Sequence, residues 1–247
     1  IQTSGATWTS QLFVLGDFYN VLAADPNFAT DYTAGKAKYA STPAALKGFE
    51  RQEEVFKAGL LNEDFAAATF EDGVTKVATG EGAHYPMLSF AVANIKELAP
   101  ENINDVGFFA IPGDDAAKNG LTTWMPAGLY IPKTTKHEAE AKQFIAFVAS
   151  VEGCDIQTQS AGATGPYLVK GCTLPADVPP AVADLLPYFQ EGGHSAPALE
   201  FLSPIKGPAL EQITVEVGSG IRDAASGAAL YDEDVKKQAQ QLGLPGW

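Results

Sequence analysis

Residues Leu121 to Thr135 read LTTWMPAGLYIPKTT. The run predicts a strand, because Ala127, Leu129 and Ile131 alternate with small or aromatic residues and Pro132 closes it. Thr122, Thr123 and the indole of Trp124 stand at its mouth. An extended segment entered through an exposed aromatic and left through a helix start is what a chain makes when it crosses between two packed units beside a cleft. The stretch is therefore read as one wall of a ligand site.

Beyond it, Thr135 and Glu138 have the spacing of a capping box, and Ala141, Phe144, Ile145 and Val148 repeat at helical spacing until Gly153. This helix must bury that face against something. Cys154 to Pro180 is rich in Gly, Pro and Thr and reads as loop. It holds the only two cysteines, Cys154 and Cys172, eighteen positions apart. An isolated pair in such a segment points to a disulfide closing a surface loop, two free thiols being the other reading. A bridge would contribute on the order of 3 kcal/mol by restricting the unfolded chain and would place the protein outside the cytoplasm. Neither a CxxC nor a paired-His spacing is present, so no zinc site is expected. After a short helix around Val182 to Tyr188 comes an irregular piece. Leu210, Ile213, Val217 and Ile221 then mark one long helix, and Val235, Ala239 and Leu242 a last one stopped by Gly243.

Upstream, a helix is expected from Thr9, with Leu15, Phe18, Tyr19 and Leu22 on one face, then a polar, irregular Asp25 to Ser41. Thr42 with Pro43 starts a helix whose buried stripe is Leu46, Phe49, Phe56 and Leu60, with Gly59 as its stop. Phe70 to Thr79 predicts a helix interrupted by Gly73, Ala83 to Met87 a short strand, and Phe90 to Leu98 a helix capped by Ser89 and ended by Pro100. Val106 to Ile111 is a strand run closed by Pro112 and Gly113. Strands alternating with helices put the chain in the α/β class. The apolar element at Ile1 begins half-finished, so a preceding segment is expected.

With 46 % hydrophobic residues the chain can build a real core. Sixteen Lys and Arg against 30 Asp and Glu leave a net charge of −14 and no basic cluster. That disfavours nucleic acid and acidic membrane surfaces as partners. No apolar run approaches the roughly 20 residues of a membrane-spanning helix.

Chemistry is sparse. His137 lies in the first turn of a helix, where a solvated role is expected, and His194 beside Ser195 lacks the GxSxG elbow of a hydrolase. GEGAHY precedes a strand and lacks the third glycine of a nucleotide fingerprint. A carboxylate pair for glycoside hydrolysis would draw on Asp17, Glu81 or Glu200, each of which reads equally as a surface charge. More distinctive are Trp8, Tyr85 and Trp124, which sit at loop or strand ends among small and polar residues. Flat rings there can stack on a sugar while Thr, His or Gln bond its hydroxyls; ordinary core aromatics are the competing reading.

In order along the chain, SGATWTSQLF, FEDGVTKVATGEGAHYPM, VGFFAIPGDD, GLYIPKTTKHEAEAKQFIAFVASVEGC and YDEDVKKQAQQLGLPGW resemble the extracellular solute-binding proteins of carbohydrate ABC importers, the maltose-binding-protein-like family. The resemblance implies a periplasmic-binding-protein-like α/β lobe, a mixed sheet flanked by helices. Residues 1–126 and 161–247 would form the second lobe, and 127–160 a strand-helix excursion toward the first. It implies a non-enzymatic, extracytoplasmic protein, periplasmic or lipid-anchored at the outer face of the membrane. Such a protein binds a mono- or oligosaccharide between lobes without a cofactor and delivers it to an ABC permease. Trp8, Gln11, His84, Tyr85, Thr123, Trp124 and Phe201 fall on the family's ligand-facing positions, although the tryptophan common after the glycine-ended helix is replaced by Ala83, His84, Tyr85 and Pro86. The Phe144 face would then meet a first lobe or a second copy. A carbohydrate-active hydrolase and a binder of a non-sugar polar nutrient are the alternatives.

Overall fold

The chain opens extended, its Ser4 and Gly5 N–H groups donating to Phe65 and Ala68 carbonyls, and enters a short 3-10 turn, Thr7–Gln11. The computed structural model describes residues 1–125 and 128–247. The single helix expected from Thr9 is instead two pieces, α1 (Leu12–Leu15) and α2 (Phe18–Ala24), broken at Gly16 and Asp17. The break is held by Thr122, whose hydroxyl donates to the Gly16 carbonyl at 2.7 Å and accepts the Tyr19 N–H at 2.8 Å. Backbone groups at the break thus keep their partners.

Around this break sits the main core. The segment 25–41, expected to be irregular, contains α3 (Phe28–Thr33), because Phe28 and Tyr32, four apart, both face inward. Tyr39 lies edge-on to Phe28, Tyr32 and Phe49 at centroid distances of 5.6, 5.8 and 6.1 Å. Each such ring brings roughly 1.5–3 kcal/mol of burial. The Asp232 carboxylate accepts both Tyr39 and Ala40 N–H groups, fixing the backbone that carries the ring. Helix α4 (Pro43–Lys57) starts at Thr42 and Pro43 as expected, and Gly59 follows its end at φ +66°. Its buried side is Ala45, Gly48, Phe49 and Gln52; Leu46 and Phe56 are half-buried, and Leu60 is exposed because the helix has already ended. Two late helices, α10 (Leu210–Gly218) and α11 (Ala224–Gln241), pack on α4 and on each other. Ile221 and Leu242, read as part of their stripes, lie past their ends and are exposed.

A second, smaller core joins α5 (Phe70–Ala78) to α6 (Ala91–Leu98). Gly73 does not interrupt α5. It leaves room for Tyr85, whose ring a Cβ at Gly73 would meet at 2.6 Å. Ser89 caps nothing with its side chain; α6 starts without a side-chain cap. The runs 83–87 and 106–111 form no strands. In the second, side chains take the place of a neighbouring strand: Phe108 N–H donates to Asp184 Oδ2 and Ala110 N–H to the Tyr188 hydroxyl.

The sheet of the described residues is one parallel pair, β1 (Leu121–Thr123) and β2 (Ser195–Pro197), with Thr123 opposite Pro197. The long strand expected over 121–135 therefore ends after three residues; 128–132 has no regular secondary structure and a turn begins at Lys133, Tyr130 is 90 % exposed, and Ala127 lies outside the described residues. Helix α7 (Glu138–Val148) lacks the expected capping box, since Thr135 Oγ1 accepts from His137 N–H. Nor does it reach Gly153: Ser150 Oγ accepts the Gly153 N–H and begins α8 (Val151–Ala161). Cys154, expected in loop, is thus helical, and it is bonded to Cys172. The short helix around 182–188 is divided into α9 (Pro180–Ala183) and a 3-10 turn, Leu186–Phe189. No residue of α7 is fully buried, and Phe144 is 61 % exposed.

Gly73→Ala should lower the unfolding free energy in urea by about 1–3 kcal/mol, since both Tyr85 and Thr3 must give way. Loss of near-ultraviolet tyrosine dichroism should accompany it. Unchanged stability would show that Tyr85 is loosely held.

Candidate functional site

Two aromatic groups and one cleft are candidates. In the first group the 3-10 turn Thr7–Gln11 presents Trp8 against Phe70 and Phe90, with ring centroids 5.6 and 6.1 Å away. Tyr85 belongs to the same cluster. Its hydroxyl is 2.7 Å from Thr3 Oγ1, which is 2.8 Å from Thr9 Oγ1, and Thr9 donates to backbone carbonyls of Thr3 and Ala6. Each hydroxyl has one proton, so the chain runs from Tyr85 to Thr3 to Thr9. Burial pushes the Tyr85 hydroxyl up to about 12, and it stays a donor at neutral pH. What Tyr85 can offer a ligand is its ring.

His84 is exposed and stands edge-on to Phe109 at 5.6 Å, while its carbonyl accepts from the Ile1 amine. Gln11 is buried, and among the described residues its Oε1 has no partner; the same is true of Ser10 Oγ and Gln52 Oε1. Ser10 and Gln52 line a cavity of about 10 Å³, enough for roughly one water. Gln11 therefore faces the interior instead of a cleft.

The second group forms where the β1–β2 pair ends. Ala198 N–H donates to the Thr123 carbonyl, extending the pairing by one bond and bringing Glu200 beside Trp124. Trp124 Nε1–H donates to Glu200 Oε2 at 2.5 Å, and Lys206 Nζ lies 3.0 Å from Glu200 Oε1. The indole is partly buried against the main core and is less exposed than its loop position suggests. Thr123 Oγ1 donates to the Ala196 carbonyl, and Phe201 is 43 % exposed. Trp8 and Tyr85 are thus brought together, and Trp124 is brought to Glu200, the chain neighbour of Phe201, but Trp8 and Trp124 pack in different apolar clusters. The Trp124–Glu200 bond spans 76 positions, and no local pattern announces it.

The cleft, of about 190 Å³, is lined by Asp17, Asn20, Lys47, Arg51, Asp114 and Lys118 among others, and by none of the seven residues expected to contact ligand. Asp17 sits at the α1–α2 break with 2 % of its side chain exposed, and its Oδ1 accepts from Asn20 Nδ2 and Arg51 NH1 at 2.6 and 2.5 Å. Burial, outweighing both partners, raises its carboxyl to about 6. Asp17, Glu81 and Glu200 are each engaged with a different cation, Arg51, Lys76 and Lys206. Among the described residues no three His, Cys, Asp or Glu side chains are grouped to hold a metal.

A family model described as bacterial extracellular solute-binding protein matches residues 4–153. No curated protein sequence matches the chain. Among solved structures, the chain is similar to a chitin oligosaccharide binding protein, with a TM-score of 0.71 and 16 % identity over 98 % of this chain and 60 % of that one. The solute-binding protein RafE in complex with raffinose gives a TM-score of 0.71 and 20 % identity over 96 % and 62 %. The binding protein MsmE of Bacillus subtilis subsp. subtilis str. 168, in an open conformation, gives 0.63 and 16 % over 96 % and 59 %. These likenesses show the fold, a periplasmic-binding-protein-like α/β lobe, and the chain spans about 60 % of the length of the structures it matches.

Because the folded Asp17 carboxyl lies above its unfolded value, the folded chain holds that proton more tightly. The stability it contributes is complete below the unfolded value of 3.8 and is lost as pH rises through about 6. Urea unfolding should show a loss of up to about 3 kcal/mol across that window from this group. Asp17→Asn should flatten that part of the profile; an identical slope in the variant would assign it to other groups.

Proposed function

Since the chain belongs to the bacterial extracellular solute-binding proteins, we propose that it captures a mono- or oligosaccharide in a cleft between two lobes and hands it to the permease of an ABC importer. The observation that carries this reading is the family match over residues 4–153, which takes in both the Trp8 turn and Trp124 at the end of β1. Like the family, the chain acts by binding and not by catalysis, and it is extracytoplasmic. In the finer reading it is periplasmic, or lipid-anchored at the outer face of the membrane.

Under this proposal residues 1–126 and 161–247 belong to the second lobe, and 127–160 is an excursion toward the first. The exposed Phe144 and Phe147 of α7 and the chain's share of its relatives' length support a first lobe as the cover of that face, with a second copy as the other occupant. The ligand lies against Trp8, Tyr85 and Trp124 by ring stacking, flanked by Phe201, with His84 and Thr123 at its polar edge. Gln11, turned inward, acts by supporting the Trp8 turn. Binding favours the closed form by its differential contacts with the two lobes, and the permease recognises that form.

The named ligands of the solved relatives, raffinose and chitin oligosaccharides, make the first probes. Tryptophan fluorescence should titrate saturably with at least one of them, and Trp124→Ala should weaken it about tenfold, the size expected of one lost stacking contact. The sugar should be recovered uncleaved by chromatography. Cleavage would favour the hydrolase; binding of amino acids or peptides in place of sugars would favour the non-sugar nutrient reading.

A further inference from the structure

Glu200 has both carboxylate oxygens engaged, and the two partners differ in what they leave available. Oε2 takes the indole proton of Trp124, so that indole can no longer donate to a ligand hydroxyl and has only its face and edge to offer. Oε1 takes Lys206, whose ammonium carries three protons and is partly exposed, leaving donors for an acceptor oxygen nearby. The carboxylate is itself placed by the sheet. Thr123 pairs with Pro197, the Ala198 N–H donates to the Thr123 carbonyl, Leu199 is buried, and Glu200 follows in a 3-10 turn, Leu199–Phe201.

From this arrangement we propose that Glu200 is the positioning residue of the saccharide site: it locks the Trp124 indole as a flat stacking surface and holds the Lys206 ammonium beside it as a donor to sugar hydroxyl oxygens. The assignment rests on the solute-binding reading above. A free indole at a strand end would sample several rotamers and would have to be ordered when ligand arrives; one held by a charge-assisted bond has met that cost during folding. Glu200 acts through Trp124 and Lys206, and it need not touch the sugar.

Glu200→Ala and Glu200→Gln separate the roles, since the amide still accepts the indole proton. Both are compared with the wild-type chain for thermal unfolding, for the Trp124 indole N–H signal in ¹⁵N-correlated spectra, and for raffinose affinity. Trp124→Phe assigns the signal. Glu200→Ala should release the signal to the position and exchange rate of a solvated indole and weaken raffinose about tenfold, while Glu200→Gln keeps the signal and stays within about threefold of wild type. A raffinose affinity that Glu200→Ala leaves within about twofold, with wild type binding, overturns the assignment to Glu200 alone. An indole signal that Glu200→Ala does not move overturns it without reference to any ligand. Wild-type protein that binds neither raffinose nor a chitin oligosaccharide overturns the solute-binding reading and this assignment with it.

Discussion

One hydroxyl ties the molecule together. At the break between α1 and α2 the backbone needs both an acceptor for the Tyr19 N–H and a donor for the Gly16 carbonyl, and Thr122 Oγ1 is both at once. A buried threonine is the smallest side chain that can serve as donor and acceptor and still sit in a strand with favourable β-branching. Because Thr122 is the middle residue of β1, the bond fixes that strand to the first helical layer. Its pairing with β2 then fixes the loop that carries Glu200. The break also leaves Asp17 facing Arg51 of α4 and lets Tyr19 stack on His194 beside Gly120, where a Cβ would meet the Tyr19 ring at 2.3 Å.

The rest follows from which groups this frame leaves without partners. The main core is closed, built on Tyr39 and its edge-on neighbours and sealed by Asp232. The second core is closed on its inner side by Tyr85 and open where Trp8, Phe70 and Phe90 meet. Helices α7 and α8 pack on each other, with the Cys154–Cys172 bridge anchoring the following loop to α8, while the outer side of α7 keeps Phe144 and Phe147 in solvent. Under the proposed reading, this is the face that a first lobe would cover.

Local signals in the sequence carried well where nothing distant competed with them. Thr42 and Pro43 start α4, Gly59 and Gly243 follow helix ends at positive φ, and two cysteines with no rivals find each other. The failures have a common cause. The 106–111 run closed by Pro112 and Gly113 reads as a strand, but Asp184 and Tyr188, more than seventy positions away, take its Phe108 and Ala110 N–H groups instead. The helix from Thr9 looks continuous until Thr122 offers its backbone an alternative. Ser150 ends α7 because its hydroxyl can cap a new helix, which an apolar stripe does not reveal. In the candidate site the aromatic residues were visible as residue types in unusual places. Their partners were not: Phe70 and Phe90 for Trp8, Thr3 for Tyr85, Glu200 for Trp124 all come from distant parts of the chain. Gln11 shows the opposite error, since one helical turn from Trp8 points it into the interior.

The central claim is that solute is bound on the aromatic surfaces of this lobe, and the three indoles allow it to be tested within one molecule. Trp247 is an internal reference, its Nε1–H already engaged by the Thr33 carbonyl in the main core. The most direct measurement is a titration of ¹⁵N-labelled protein with raffinose, following the indole N–H signals of Trp8, Trp124 and Trp247 together. The account predicts saturable shifts at Trp124 or Trp8, or at both with a single affinity, while Trp247 stays still. Shifts of equal size at all three, or none at any saccharide concentration reached, would contradict it.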